Sequence, residues 1–396
     1  MRQLAIRLGS LAVFRQLLRD PVIGALRDYL RTDPAQVEEA VSRYAAFVSR
    51  LYEAGCPSLA AYVRAIVGDD ENPYIRTVGR GAVPSPRMEQ SVRQELQILQ
   101  TVADLTPEVL RKELRWEGDL PLFDTEDVDL TGHYFERCRN ISKYGYGMYA
   151  RNRMFYIDTH GHIVPVRDPD GVRLSSLVDY EREKKIVMDN TLALLQGKPA
   201  ANILLSGDAG TGKSSTVKAV VNELADQGLR ILEVRKEQLR QIPGVLDELS
   251  GNPLKFILFI DDLSFRKDDD DFSAMKAILE GSVSAKSRNV VIYATSNRRH
   301  LIRESFSERD GDDIHRNDTM QQIISLSERF GIQITFQKPG KQTYQSIVRE
   351  LADRAGLRYD PQELQIRAEQ FALGRGGRSA RAAKQFVDGL IAEEGK

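Results

Sequence analysis

The chain has 396 residues, and its 56 Lys and Arg residues almost balance its 57 Asp and Glu residues, so no overall basic field points to nucleic acid. This length predicts two or three domains, and a composition with 41% hydrophobic and 29% charged residues excludes disordered and fibrous proteins. The two cysteines, Cys56 and Cys138, lack metal-site or disulfide-framework spacing, and no stretch approaches the ~18 apolar residues of a membrane span, which together favour a cytoplasmic protein.

Residues 1–165 are predicted to form a mainly helical N-terminal domain. Apolar residues recur there at helical spacing, as at Tyr44, Val48 and Leu51. The arginine-rich start of the chain superficially resembles an amphipathic targeting segment, and we interpret it as the first helix of the domain. At residues 155–171, β-forming residues alternate around His160-Gly161, which predicts a β-hairpin at the end of this domain.

From residue 176 onward, short apolar runs alternate with helical patterns, which predicts a parallel sheet buried on both faces. The predicted strands are residues 202–205, 230–234, 256–260, 290–295 and 332–336. After residue 340 only helical patterns remain, at residues 342–356, 361–373 and 377–393. The predicted fold class is therefore α/β, with a sheet core at residues 176–340 and a helical lid at residues 341–396.

The segment GDAGTGKS, at residues 207–214, follows the first of these strands and precedes a helix. It has Walker A spacing, in which main-chain N–H groups and a helix N-terminus bind phosphate. The predicted nucleotide-binding residues are Gly207, Asp208, Ala209, Gly210, Thr211, Gly212, Lys213, Ser214 and Ser215. We expect Lys213 to reach the β- and γ-phosphates of ATP, and Ser214 to bind Mg²⁺. A glycine-rich turn without a ligand is the alternative interpretation.

Two acids, Asp261 and Asp262, end the strand predicted at residues 256–260. This Walker B pattern predicts that a carboxylate meets the magnesium held at the neighbouring strand end. We assign Asp261 to the metal and its water, and Asp262 to orienting the attacking water. Helix N-capping is the alternative for such a pair. We interpret the acidic run at residues 268–271 as capping the next helix rather than as a second metal site.

The order of these motifs, over residues 176–396, resembles that of the AAA+ ATPases. Asn297, after NVVIYATS, is similar to the sensor 1 residue, which contacts the γ-phosphate or the attacking water. Arg329 in SLSERFG resembles the arginine finger that reaches the ATP of a neighbouring subunit. Arg378 in GGRSARAAKQF resembles the sensor 2 residue of the lid, with Arg381 as the alternative. A turn residue and a helix C-terminal cation are the alternatives for Asn297 and Arg329.

The sequence around the motifs resembles a bacterial AAA+ family that is known only as a domain of unknown function. The resemblance implies ATP hydrolysis with Mg²⁺ at subunit interfaces of a homo-oligomeric ring, with a hexamer favoured, because an arginine acting in trans requires head-to-tail contacts. It also implies that the enzyme remodels a protein or nucleoprotein client of unknown identity, which the N-terminal domain binds.

The sequence departs from the superfamily pattern at two places. Asp262 stands where many members carry Glu, so hydrolysis is expected to be slow or dependent on the partner subunit. The segment LEVRKEQLRQIPGV, at residues 232–245, lacks the aromatic-hydrophobic-glycine loop with which ring unfoldases grip polypeptide. Arg235, Lys236 and Arg240 within it leave open a contact with nucleic acid, beside the interpretation as a solvated helix face.

Two other classes of function compete with the motor. One is a nucleotide-gated binding module with little turnover. The other is a DNA- or RNA-stimulated loader, whose binding would weaken steeply with salt. A metabolic kinase is disfavoured because the sequence shows no acceptor-binding motif and continues into Arg329 and a lid arginine.

Overall fold

The computed structural model describes residues 1–112, 114, 116–264, 270–280, 288–297, 326 and 328–394. Within these ranges the chain divides into two compact units, Met1–Arg151 and Asn152–Lys396. Asp268 and Asp269 of the acidic run lie outside the described residues, so its predicted capping role stays a prediction. No helix in the described ranges has the length and apolarity needed to cross a membrane.

The first unit is built from helices. They are α1 (Arg2–Gly9), α2 (Pro21–Arg31), α3 (Val37–Glu53), α4 (Leu59–Asp69), α5 (Pro73–Gly79), α6 (Pro86–Ala103), α7 (Pro107–Arg111), α8 (Leu130–Arg139), α9 (Ile141–Tyr144) and α10 (Met148–Arg151). Helices α2, α5, α6 and α7 each begin with proline directly after a side chain that caps the first turn. Proline suits this position because its missing N–H would have had no intrahelical partner. This part of the chain is helical, as predicted, and local sequence signals mark where these helices begin.

A buried carboxylate fastens the N-terminal segment to α6. The Glu95 side chain accepts hydrogen bonds from the main-chain N–H groups of Ala12, Val13 and Phe14 at 2.9–3.1 Å. Phe14 is fully buried beside Tyr134 of α8, with 5.2 Å between their ring centroids. Leu4, Ala5 and Leu8 of α1 are buried in the same core, so the first helix is part of this unit, as the sequence interpretation required.

The second unit contains one mixed sheet. Its strands are β1 (Met154–Ile157), β2 (Ile163–Pro165), β3 (Ile203–Gly207), β4 (Leu229–Val234), β5 (Lys255–Ile260), β6 (Val290–Ser296) and β7 (Ile332–Phe336). Their order is β2-β1-β4-β5-β6-β3-β7, and all neighbours are parallel except β1 and β2. Each of the five predicted strands overlaps one of β3 to β7, which confirms the α/β P-loop fold class.

Helices complete the second unit. They are α11 (Glu181–Leu195), α12 (Lys213–Leu224), α13 (Ile242–Ser250), α14 (Asp270–Glu280), α15 (Lys341–Arg354), α16 (Pro361–Gly374) and α17 (Ala380–Glu394). Helix α11 is tied to the sheet by Tyr293 of β6, whose hydroxyl lies 2.8 Å from Thr191 Oγ1 and 3.0 Å from Asn190 Nδ2. Helices α15 to α17 share a separate apolar core around Tyr344 and Ile347 and occupy the range predicted as the lid.

The structure corrects two features of the sequence prediction. The hairpin of β1 and β2, predicted as the end of the helical domain at residues 1–165, belongs to the sheet, because β1 pairs in parallel with β4. The strand that carries Asp261 is not the neighbour of the phosphate-loop strand, because β6 lies between β5 and β3. Side chains at the carboxyl end of β6 therefore stand between the two motifs.

Candidate functional site

The phosphate loop leaves β3 through a glycine that no other residue replaces without strain. Gly207 has φ +136°, and a Cβ atom placed on it would lie 2.0 Å from the carbonyl oxygen of Phe336 in β7. The loop continues through Gly210 and Gly212, at φ +78° and +95°, which suit glycine. Gly212 directly precedes α12, whose first-turn N–H groups have no intrahelical acceptor. The Walker A spacing predicted a tight loop that Gly207 and Gly212 permit, and the phosphate that this loop is expected to bind stays a prediction.

Lys213 lies at the start of α12 with its ammonium group inside the loop. Its Nζ donates to the carbonyl oxygens of Gly207 and Asp208 at 2.9 and 2.8 Å, and to Oδ1 of Asn297 at 3.0 Å. Lys213 is only 5% exposed, and this burial lowers the pKa of its ammonium group, while the carboxylates of Asp261, Asp208 and Asp262 oppose the shift. All three of its contacts are oxygen atoms of the kind that a phosphate group supplies.

The hydroxyl group of Ser214 meets the first Walker B acid. Ser214 Oγ donates to Asp261 Oδ1 at 2.7 Å, although the two residues are 47 positions apart. The same Oδ1 accepts a hydrogen bond of 2.5 Å from Thr295 Oγ1, at the end of β6. A hydroxyl and a carboxylate together present the hard oxygen ligands that Mg²⁺ prefers. The two residues assigned to the metal from sequence are therefore in direct contact.

The second Walker B acid has an unusual main-chain conformation. Asp262 has φ +53°, in the left-handed region where Asp and Asn are more frequent than other side chains. Its N–H donates to Thr295 Oγ1 at 2.9 Å, and its carboxylate accepts a hydrogen bond of 2.7 Å from Asn297 Nδ2. Asn297 thus connects Asp262 to Lys213 through the two ends of one amide group.

These groups line one wall of a cavity of about 530 Å³. The lining also includes apolar side chains, namely Val178, before α11, and Ile347 and Leu351 of α15. A lining that combines charged and polar groups with apolar side chains suits a phosphorylated ligand that also carries a flat apolar group.

The lid helix α17 begins directly over the phosphate loop. The Arg381 N–H donates to the carbonyl oxygen of Gly210 at 3.2 Å, and Ser379 lies on the same side of the loop. The side chains of Arg381 and Lys384, one helical turn apart, line the cavity. Both cations therefore line the cavity, and Arg381 lies beside the phosphate loop.

Two predicted arginines are placed elsewhere. Arg378 does not line the cavity, and its guanidinium binds the carboxylate of Glu369 in α16 at 2.8–3.1 Å. Arg381, the alternative sensor 2 residue, is the one that the structure brings to the cavity. Arg329 also lies away from the cavity and donates from Nε to Glu280 at 2.9 Å, at the end of α14. A residue that acts on a neighbouring subunit has no need to enter its own cavity.

The residues present fit a magnesium nucleotide. The loop glycines leave the phosphate end of the cavity free of side-chain bulk, and Lys213, Arg381 and Lys384 provide cations for a polyphosphate. Ser214 and Asp261 are oxygen donors placed beside that end. ATP and Mg²⁺ thus match both the charge and the chemistry of this wall.

Several lining residues were not predicted from the sequence, among them Thr295, Lys384 and Tyr180. Thr295 was not predicted because VVIYAT was interpreted only as a buried strand. A hydroxyl group at the end of an otherwise apolar strand is the sequence signal that could have indicated a site residue. Lys384 follows Arg381 at helical spacing, which places both on one face. Tyr180 precedes α11, has φ +64° and packs on Phe336 with 5.0 Å between ring centroids, a placement that no sequence pattern indicated.

A family model described as "Protein of unknown function (DUF815)" matches residues 150–394. This match confirms the sequence-based recognition of a family of unknown function. No curated protein matches the sequence.

Several solved structures are similar to this chain over about half of its length. The Holliday junction branch migration motor RuvB of Thermotoga maritima shares 15% identity over 55% of this chain and 63% of that chain, with a TM-score of 0.37. C. elegans PCH-2 shares 19% identity over 54% of this chain and 63% of that one, with a TM-score of 0.37. The FIGL-1 AAA domain in complex with ADP shares 16% identity over 55% and 72%, with a TM-score of 0.36. The chain thus spans less than two-thirds of the RuvB and PCH-2 chains.

Proposed function

The chain belongs to the family described as "Protein of unknown function (DUF815)", and we propose that it is a Mg²⁺-dependent AAA+ ATPase that hydrolyses ATP to ADP and phosphate. One observation carries the proposal. The Walker A residue Ser214 and the Walker B residue Asp261 are joined by a hydrogen bond of 2.7 Å at the phosphate end of the cavity. A glycine-rich turn without a ligand would have no reason to bring these two groups together.

Six polar residues that line the cavity have a role in this proposal. Lys213 and Arg381 would bind the phosphates, with Lys213 exchanging its contacts to loop carbonyls for phosphate oxygens. Ser214 and Asp261 would hold Mg²⁺, which supplies charge neutralisation on the phosphates. Asp262, together with Asn297, would orient the attacking water.

Phosphate release by the purified chain tests the proposal. We expect Mg²⁺- and ATP-dependent release that stops on chelation of the metal and is lost, with ATP binding, in Lys213→Ala. Lys218→Ala is the matched control, because Lys218 lies on the same helix outside the cavity and pairs with Glu233 at 3.4 Å. Equal release from wild type and Lys213→Ala would reject the assignment.

We further propose that the ATPase works as a homo-oligomeric ring, with six subunits favoured, and that it remodels a protein or nucleoprotein client bound through the first unit. Arg329 supports the ring, because a finger acting in trans needs a head-to-tail interface. ATP-dependent mass by light scattering tests assembly. A chain that stays monomeric with ATP would contradict the ring.

The client is identified by capture with an Asp262→Ala chain that retains ATP. A nucleic-acid loader makes a different prediction, namely salt-sensitive binding of DNA or RNA that weakens in Arg235→Ala, since this residue is exposed beside the 3₁₀ helix Lys236–Gln241. ATP binding without any phosphate release would instead identify a nucleotide-gated binding module.

A further inference from the structure

Thr295 is a buried polar residue between the two Walker motifs that neither motif includes. It is 2% exposed, lines the cavity at the end of β6, and makes one hydrogen bond with each of Asp261 and Asp262. We propose that Thr295 is a positioning residue, whose hydroxyl sets the orientation of both acids for ATP hydrolysis. This inference rests on the proposed ATPase function and deepens it.

The first contact fixes the carboxylate of Asp261. Its Oδ1 accepts from Thr295 Oγ1 at 2.5 Å, from Ser214 Oγ at 2.7 Å and from the N–H of Asp262 at 3.2 Å. Three donors on one oxygen leave the carboxylate little rotational freedom. Within the described residues, Oδ2 of Asp261 accepts no hydrogen bond, so this second oxygen is the one available to the metal and its water.

The second contact fixes the main chain of Asp262. The Thr295 hydroxyl accepts from the Asp262 N–H at 2.9 Å, while the Thr295 carbonyl oxygen accepts from the Leu263 N–H at 2.7 Å. These two bonds hold the turn in which Asp262 has φ +53°. In that turn its carboxylate accepts a hydrogen bond from Asn297 Nδ2 at 2.7 Å. Thr295 therefore acts on the water-orienting acid through the backbone.

Both contacts require a group that donates and accepts at the same time. A hydroxyl does this, whereas a methyl group of the same size does neither. The sheet topology explains why β6 supplies this hydroxyl group. Strand β6 lies between β5, which directly precedes the two acids, and β3, which leads into the phosphate loop. A buried threonine required only for packing would be replaceable by valine at small cost.

The test compares Thr295→Val and Thr295→Ser with wild type in one phosphate-release assay that includes a Mg²⁺ titration. We expect Thr295→Val to lower kcat about 10- to 100-fold and to raise the Mg²⁺ concentration needed for half-maximal rate, with ATP affinity at saturating Mg²⁺ changed little. Thr295→Ser keeps both bonds and should stay near the wild-type rate. If Thr295→Val does not fold, Thr295→Ala serves as the smaller variant without a hydroxyl.

Thr191→Val is the matched control for general destabilisation. Thr191 is fully buried in α11, and its hydroxyl lies 2.8 Å from that of Tyr293, away from the cavity. We expect this variant to lose stability while its kcat and Mg²⁺ dependence stay unchanged. A Thr295→Val chain with wild-type kcat and Mg²⁺ dependence would overturn the proposal, as would an inactive Thr295→Ser chain that is folded.

If the proposed ATPase function is wrong, the phosphate-release assay gives a different result. If the wild-type chain releases no phosphate, the proposed ATPase function is rejected. The role of Thr295 in orienting Asp261 is then tested by comparing how ATP affinity depends on Mg²⁺ in wild type and in Thr295→Val. If Thr295→Val leaves that dependence unchanged, the positioning role is rejected as well.

Discussion

The side-chain amide of Asn297 donates a hydrogen bond of 2.7 Å to the carboxylate of Asp262. The oxygen of the same amide accepts a hydrogen bond of 3.0 Å from Lys213. The group expected to orient water and the group expected to bind phosphate are therefore linked through one side chain. Any ligand that draws Lys213 toward a phosphate will change the surroundings of Asp262.

Asp262→Asn should separate binding from hydrolysis. The amide keeps the size and the left-handed tolerance of Asp, but it lacks the charge that orients and polarises water. We expect ATP affinity close to wild type and phosphate release reduced about 100-fold or more. The measurements are equilibrium ATP binding and single-turnover hydrolysis, and wild-type turnover would remove Asp262 from the catalytic group.

Asp262→Glu tests why the chain has the shorter acid. At φ +53° a longer side chain loses the preference that Asp has for this region. We expect Glu to lower the melting temperature and not to raise turnover, although Glu is frequent at this position in the AAA+ proteins that the sequence resembles. Faster hydrolysis in the Glu variant would show that the missing methylene group, and not the main-chain conformation, limits the rate.

Arg381→Ala should weaken ATP binding more than Arg378→Ala. Arg381 lines the cavity, and losing a charged contact with phosphate costs about 1.5–3 kcal/mol, or roughly tenfold and more in Kd. Arg378 instead binds Glu369, and its removal should leave the Kd nearly unchanged. Titration of both variants with labelled ATP gives the comparison. The reverse ranking would restore the sensor 2 assignment to Arg378.

Arg329→Ala should keep ATP binding and lose turnover, because the finger is proposed to act on the ATP of the next subunit. Mixing this inactive variant with inactive Lys213→Ala chains should restore part of the activity, since some interfaces then combine an intact ATP site with an intact finger. Arg367→Ala, which removes an exposed lid arginine paired with Glu393, is the control. An inactive mixture would argue against action in trans.

Asp70→Asn should change how stability depends on pH. Burial raises the pKa of Asp70 from its ordinary value of 3.8 to about 6, while a hydrogen bond from Asn72 partly opposes the shift. The folded state therefore binds the proton more tightly, and Asp70 lowers stability as pH rises from about 4 to about 6, by on the order of 3 kcal/mol. The Asn variant should gain stability relative to wild type near pH 8 and not near pH 4.

Urea unfolding followed by tryptophan fluorescence measures this effect, because the single tryptophan, Trp116, lies in the same unit as Asp70. An equal stability difference at both pH values would show that the Asp70 carboxyl titrates normally in the folded protein.

Local patterns in the sequence predicted most strands and helices of the second unit. They did not predict contacts between residues that are far apart in sequence. The strands and the Walker motifs are recognised from residues that are neighbours in sequence. Strands β3 to β7 and the Ser214–Asp261 pair could therefore be predicted. The hairpin was assigned to the wrong unit because the pairing of β1 with β4 joins residues 77 positions apart, as at Phe155 and Leu232.

The choice between the two lid arginines depended on where one helix begins. The sequence predicted a helix from residue 377, whereas α17 begins at Ala380. Arg378 therefore precedes the helix and binds Glu369, while Arg381 lies in its first turn beside Gly210. Thr295 was missed for another reason, because its role appears only when β6 is known to lie between β5 and β3.

The close approach of Gly207 to the Phe336 carbonyl affects how relatives of this chain should be compared. A glycine is required there for β3 and β7 to pair at all, whether or not a nucleotide is ever bound. A relative that has lost ATP binding would still need this glycine to fold. Its retention is therefore no sign of activity, and an inactive relative should be recognised by changes at Lys213 or Asp262 instead.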